Sequence, residues 1–188
     1  MRVATEGLPE WAVVSPERVA HIARVEALVA RWAEERGVGT SEAERWGRAA
    51  RLHDALRDAP MEVLARYAPQ GSWPASLCHG PAAAAAAERG GETDRGVLDA
   101  VRYHSVGYAA WDDAGRMLFL ADHLEPGRQA ERPALDALAA LVPRDPGAAL
   151  RAVVARRMTW LLHEGTPIRK ETWELWNSLV AGDSSSAG

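Results

Sequence analysis

Cysteine is almost missing from this chain. The one thiol, Cys78, has no second cysteine to pair with, which excludes an internally stapled fold and fits a reducing compartment. Lysine is as scarce: Lys170 is the only one, so nearly all the positive charge is arginine. Genomic base composition can produce that bias, and arginine content alone therefore carries no functional weight. No uncharged apolar run approaches the roughly 18 residues that a spanning helix needs, and Met1 to Trp11 shows no signal-peptide core. An excess of basic charge is also lacking, since 22 basic residues face 26 acidic ones for a net charge of -4. That balance excludes the broad electrostatic footprint of a nucleic-acid binder. The expectation is a cytoplasmic protein with neither nucleic acid nor membrane among its partners.

Strand formers are few as well, with one phenylalanine and two isoleucines, whereas alanine is abundant and favours helix. At 188 residues, one hydrophobic core can serve the whole chain. Punctuation agrees with helix throughout. Ser15-Pro16 reads as an N-cap and first-turn proline, opening a helix with apolar residues at Val19, Ile22, Val25, Leu28, Val29 and Trp32 that stops at Gly37. Ser41 to Glu44 reads as a capping box for a second helix running into His53-Asp54. Further helices are predicted over 60–67, 81–89, 94–104, 114–124, 133–141, 146–163 and 170–180, with no run that alternates long enough for a strand. The fold class is all-α: an extension over 1–14, one helical domain over 15–181 and a disordered tail over 182–188. The run Ala82 to Ala87 reads either as a face that another helix approaches closely or as a plain high-propensity segment.

Histidine is where chemistry shows. Four of the six histidines fall beside other signals: His21, the pair His53-Asp54, His79 before Gly80-Pro81, and His104, with Asp122 following. One His-Asp dipeptide would mean little, and each histidine taken singly reads as a hydrogen-bonded structural residue. The ordered set His, His-Asp, His, His, Asp is far more specific. It resembles the HD superfamily of metal-dependent phosphohydrolases, and the strings around Arg18 to His21, Leu52 to Arg57, Leu77 to Pro81, Arg102 to Ser105 and Ala121 to Arg128 resemble its YqeK-type branch. That branch comprises symmetrical bis(5'-nucleosyl)-tetraphosphatases, which split diadenosine tetraphosphate into two ADP. The closing string Pro167 to Asn177 resembles the branch too. Three positions depart from it: Arg57 where lysine is common, Arg169 for a frequent histidine, and Trp176 for a frequent arginine.

The resemblance implies a single HD-domain helical bundle with a central metal site. It assigns His21, His53, Asp54 and Asp122 to a primary metal, and makes His79 and His104 ligands of a second ion or direct phosphate contacts. Asp54, His79 and His104 are the implied catalytic residues. Arg18, Arg57, His79, His104, Ser105, Arg128, Thr172 and Asn177 are the implied substrate contacts. The cofactor implied is one or two divalent ions, iron foremost, with manganese or cobalt as alternatives; imidazole and carboxylate donors suit such borderline ions better than magnesium or calcium. Adjacent on a helix, His53 and Asp54 would project about 100° apart, so that the carboxylate can reach the ion from a second side or bridge two. A bound ion would supply hydroxide near neutral pH and polarise the phosphoryl group.

Cys78 reads as a small buried hydrophobe, His123 as pointing away from the site, and His163 as a cation at a helix C-terminus. Tyr108, Trp111, Trp173 and Trp176 are candidates for stacking on a base, against a core or interface role. Three functions stay open: hydrolysis of a dinucleoside tetraphosphate; HD chemistry on another nucleotide, whether linked to NAD metabolism, a deoxynucleoside triphosphate or a signalling nucleotide; and a sensor that binds nucleotide without turnover. The partner in each is a small nucleotide. The oligomeric state is open, a homodimer being one option.

Overall fold

The computed structural model describes residues 7–68, 73–128 and 132–184, and among them every regular element is helical. Helix α1 (Pro16–Glu35) starts as its sequence dictates: the Ser15 hydroxyl accepts the Arg18 N–H, and Pro16 occupies the first turn. Helix α2 (Thr40–Leu52) starts earlier than the capping-box reading placed it, with Gly39 at the N-cap and Ser41 already inside. Glu42 is turned to other work, accepting from the Trp46 indole at 2.9 Å and pairing with Arg45 at 2.6 Å. Helix α3 (Met61–Leu64) is a single turn. Helices α4 (His79–Arg89), α5 (Arg95–Tyr103), α6 (Asp113–Leu124), α7 (Arg132–Leu141), α8 (Pro146–His163) and α9 (Lys170–Ser184) complete the order. Helix α9 thus continues past the expected boundary at 182, and residues 185–188 lie outside the described residues.

Helix α1 packs on α2 and α6, α5 packs on α2, α4 and α6, and α7 and α8 cover the other flank of α6. The larger core lies between α1, α2, α5 and α6 and is built around Trp32, Trp46, Met117, Leu118, Phe119 and Leu120. A smaller core holds Leu56, Leu64, Cys78, Val101 and the alanines of α4. Five of the six residues Ala82 to Ala87 are buried, so the alanine run is the close-approach face, along which α4 lies on α5. The described part of the N-terminal extension is docked rather than free, with Val13 N–H bonded to Ala55 O at 2.8 Å and Trp11 against the smaller core.

Trp111 is buried, and its indole N–H donates to Asp99 O at 3.1 Å, so it serves the core and not a base. Its ring lies flat against Gly115, where any Cβ would overlap it. Glycine in a helix ordinarily gives up about 1 kcal/mol to alanine, but overpacking a rigid buried ring costs about 1–3 kcal/mol. Gly115→Ala should therefore lower stability by about 1 kcal/mol in urea unfolding. Gly47→Ala, in the middle of α2 with only the Arg51 guanidinium at 4.0 Å, should raise it by about 0.5–1 kcal/mol.

Candidate metal centre

Five helices deliver six side chains to one place. His21 comes from α1 and Asp122 from α6, while His79 is the first residue of α4. His53 and His104 each follow the last residue of a helix, α2 and α5 respectively. Both repeat one local device, in which the imidazole folds back and its Nδ1–H donates to the carbonyl three residues earlier: His53 to Ala50 O at 2.7 Å, His104 to Val101 O at 2.8 Å. A carbonyl can only accept, so Nδ1 carries the proton and Nε2 is the free donor atom. The His-Asp pair thus sits at a helix end and not within one, and the chain turns after His53 so that Asp54 faces the same point.

The six groups form two triads. His21, His53 and Asp122 place one ligand atom each within 4.8 Å of one another, as do Asp54, His79 and His104. Asp54 joins them. Its Oδ2 lies 3.7 Å from His21 Nε2 and 3.5 Å from His53 Nε2, and its Oδ1 lies 3.3 Å from His79 Nε2 and 3.4 Å from His104 Nε2. The remaining separations are 3.2 Å for His21 to Asp122, 3.3 Å for His21 to His53 and 3.1 Å for His79 to His104. Ligand atoms about 2.1 Å from a shared ion and about 90–110° apart stand about 3.0–3.4 Å from each other.

Charge and proton bookkeeping agrees with a cation. Burial opposes ionisation of Asp54, but the His53 imidazole and hydrogen bonds from His104 and His79 outweigh it and hold the carboxyl well below the usual range. Asp122 is likewise buried and held down by His21 and then Arg128. Burial keeps His53 neutral, with a pKa of about 4. Its bare Nε2 therefore faces a carboxylate oxygen with no proton between them, a repulsion that a cation relieves. His104, buried as well, is raised overall by Asp54, which marks the same spot as one that gathers positive charge.

Surrounding groups aim the ligands. Glu125, buried, holds His21 Nδ1 at 3.2 Å through Oε1 and accepts Arg24 Nε at 2.6 Å through Oε2. No role was read for it in the sequence, although it follows Asp122 by three residues as the cap at the end of α6. Arg18 donates to Asp54 Oδ2 at 2.6 Å, and Arg128 to Asp122 Oδ1 at 2.7 Å. Arg57 reaches Ser76 O at 3.2 Å and His79 Nδ1 at 3.3 Å, and the Ser105 hydroxyl lies 3.2 Å from His79 Nε2.

All of Arg18, Arg57, Ser105 and Arg128 line a cavity of about 300 Å³ over Asp54, Asp122, His79 and His104. Its wall also includes His123 and Arg157. His123 was expected to point away; α8 packs on the flank of α6 and carries the wall round to it. Thr172 and Asn177 are not on this wall. The Thr172 hydroxyl is buried and donates to Val106 O at 2.7 Å, and Asn177 is exposed on α9. Tyr108 is stacked on Tyr103, and Trp173 and Trp176 lie off the wall like Trp111. Cys78 is outside both triads, its thiol directed at Trp73 O and Pro74 O.

The HD domain family model matches residues 18–127, from Arg18 to the turn after Asp122. The chain belongs to the HD domain family. HD domains are metal-dependent, in agreement with the two triads. Among its relatives, the symmetrical bis(5'-nucleosyl)-tetraphosphatase of Bacillus subtilis (strain 168) is 28% identical over 177 residues, covering 90% of this chain and 92% of the relative. The protein of the same name from Staphylococcus aureus (strain NCTC 8325 / PS 47) is 33% identical over 135 residues, 68% of this chain and 65% of that one. A crystal structure described as a predicted HD superfamily hydrolase involved in NAD metabolism, from Clostridium acetobutylicum, superposes with a TM-score of 0.77 at 22% identity over 89% of this chain and 91% of that one. That likeness bears out the all-α HD fold.

Burial lowers the pKa of His53 and of His123 to about 4 and that of His79 in the same direction. Below the usual 6.5, the unfolded chain takes up protons that the folded one refuses. His104, raised by Asp54, holds its proton more tightly when folded and works the other way, but three groups outweigh one. The metal-free protein should therefore lose stability as the pH falls from about 6.5 toward about 4. Melting temperatures of chelator-treated protein across that interval test this, and a flat profile would contradict it.

Proposed function

We propose that this protein hydrolyses dinucleoside tetraphosphates symmetrically, cleaving diadenosine tetraphosphate and water to two ADP in the cytoplasm. The substrate follows from the names of relatives aligned along most of the chain. The observation that carries the chemistry is the Asp54 carboxylate between two ligand triads, under a cavity walled by arginines. His21, His53 and Asp122 would hold one ion and His79 and His104 a second, with Asp54 a ligand available to both. The mixed imidazole and carboxylate set favours iron, with manganese or cobalt as substitutes. When bound, such ions make a water acidic enough to yield hydroxide near neutral pH and neutralise charge on the phosphates.

The chain's own groups do the rest. The cavity holds about 300 Å³, enough for the central phosphates and too little for two nucleosides, which must extend outward. The arginine at 57 and the Ser105 hydroxyl bind phosphate oxygens beside His79 and His104. Arg18 and Arg128 fix the two carboxylates and present their remaining N–H groups to the phosphates. In the reaction one P–O bond of the central anhydride breaks, its bridging oxygen leaves with one ADP, and water oxygen completes the other. Fixed guanidinium groups favour that step as charge grows on the leaving diphosphate.

Incubation of metal-loaded protein with diadenosine tetraphosphate should give two ADP and no AMP or ATP. Chelation should abolish the activity, with iron, manganese or cobalt restoring it and calcium failing to. Asp54→Ala should lose bound metal and turnover together. Full activity in protein shown by elemental analysis to be metal-free would remove the mechanism, and products other than ADP would remove the substrate.

A further inference from the structure

Four arginines reach the cavity wall, and three of them are tied to the protein. Arg18 is bonded to Asp54, Arg128 to Asp122, and Arg57 to the Ser76 carbonyl and His79. Arg157 differs. It stands on α8 as a half-buried side chain, and among the described residues no carboxylate lies within ion-pair distance of it. Its guanidinium stacks over the Trp160 ring at 4.6 Å, which restricts the plane of the fork without neutralising its charge. Burial pulls its pKa below the usual guanidinium value; Asp122 works against that shift and Arg128 with it.

A guanidinium partly withdrawn from water and left without a counter-charge is unfavourable in the free protein. On the wall of a cavity that takes a polyphosphate, the deficit becomes affinity, since the planar fork matches two phosphate oxygens. The position is complementary to that of Arg57. Arg57 touches His79 of one triad, whereas Arg157 feels the charges of Asp122 and Arg128 at the other. A symmetrical substrate cleaved at its centre has phosphates on both sides of the scissile bond. Arg57 addresses one side only.

We propose that Arg157 is a substrate-binding residue that grips the phosphates of the nucleotide half lying on the Asp122 side of the centre. This rests on the dinucleoside polyphosphate reading above. The arginine neither holds metal nor supports a ligand, so its removal should act on nucleotide affinity alone.

The test uses the metal-loaded full chain with Arg157→Ala, Arg157→Gln and Arg157→Lys. Calorimetry with ADP, metal content, melting temperature, and kcat and KM on diadenosine tetraphosphate are measured for each. The expected result is that the alanine and glutamine variants keep metal content and melting temperature while the ADP Kd and the KM rise about tenfold, the loss of one charged hydrogen bond. Lysine, which keeps the charge and loses the fork, should recover part of that affinity. Unchanged ADP affinity in the alanine and glutamine variants would overturn the assignment, as would loss of metal in both, which would make Arg157 a support of the centre. Wild-type protein that binds ADP but leaves diadenosine tetraphosphate intact would remove the substrate reading, while the ADP comparison would still decide on Arg157. Wild-type protein that does not bind ADP would remove both.

Discussion

Electron pairs crowded around a buried point, with no proton between some of them, are the constraint on which this structure turns. Two carboxylates and four imidazoles meet across little more than 3 Å, and where no proton lies between a pair, as at His53 and Asp54, they repel. A helical protein without a cation would avoid such an arrangement, since each buried charge disfavours folding unless matched. Here the rest of the fold is organised to hold it. Helices α2 and α5 stop where their last turn can still accept an imidazole N–H, so the carbonyls that a helix end leaves unpaired fix the tautomers of His53 and His104.

The arginines around the centre do two kinds of work. Arg18 and Arg128 each bond the carboxylate oxygen that faces His21, Asp54 Oδ2 and Asp122 Oδ1, and so fix the orientation of a ligand carboxylate. Arg24 acts one step further out, through Glu125 to His21. Charge compensation therefore runs outward in alternating signs from the centre to the surface, and the carboxylates stay ionised although they are nearly removed from water. Substitution of one arginine by lysine would keep a charge and lose the paired donors, and at this site that difference matters.

Much of this was legible in the sequence because each ligand sits in a short string with its own local cause. His53-Asp54, His79-Gly80-Pro81 and the run after Asp122 are contiguous, and their order along the chain identified the centre. Most helices followed from caps and from apolar spacing; α8 runs over the same residues as expected. The failures are of two sorts. Ser41 looked like an N-cap, but α2 already begins at Thr40 with Gly39 as its cap, so the local signature lies inside the helix it was read as opening. Arg157 and His123 were missed because what places them on the cavity is the packing of α8 on α6, a relation between segments about 30 residues apart that leaves no mark on either one.

Gly80 joins the two histidines of the second triad through their helices. A side chain there would meet the main-chain oxygens of Arg102 and Val101 at 3.0 and 3.1 Å and the His104 ring at 3.2 Å. The gap between His79 and His104 is thus gauged by one backbone resting on another, and packed main chains are among the least compressible parts of a protein. Ligands mounted on such a rigid frame cannot follow an ion of unsuitable radius. The triad acts as a fixed-width gauge, and a hydrogen atom in place of a methyl group is what sets its width.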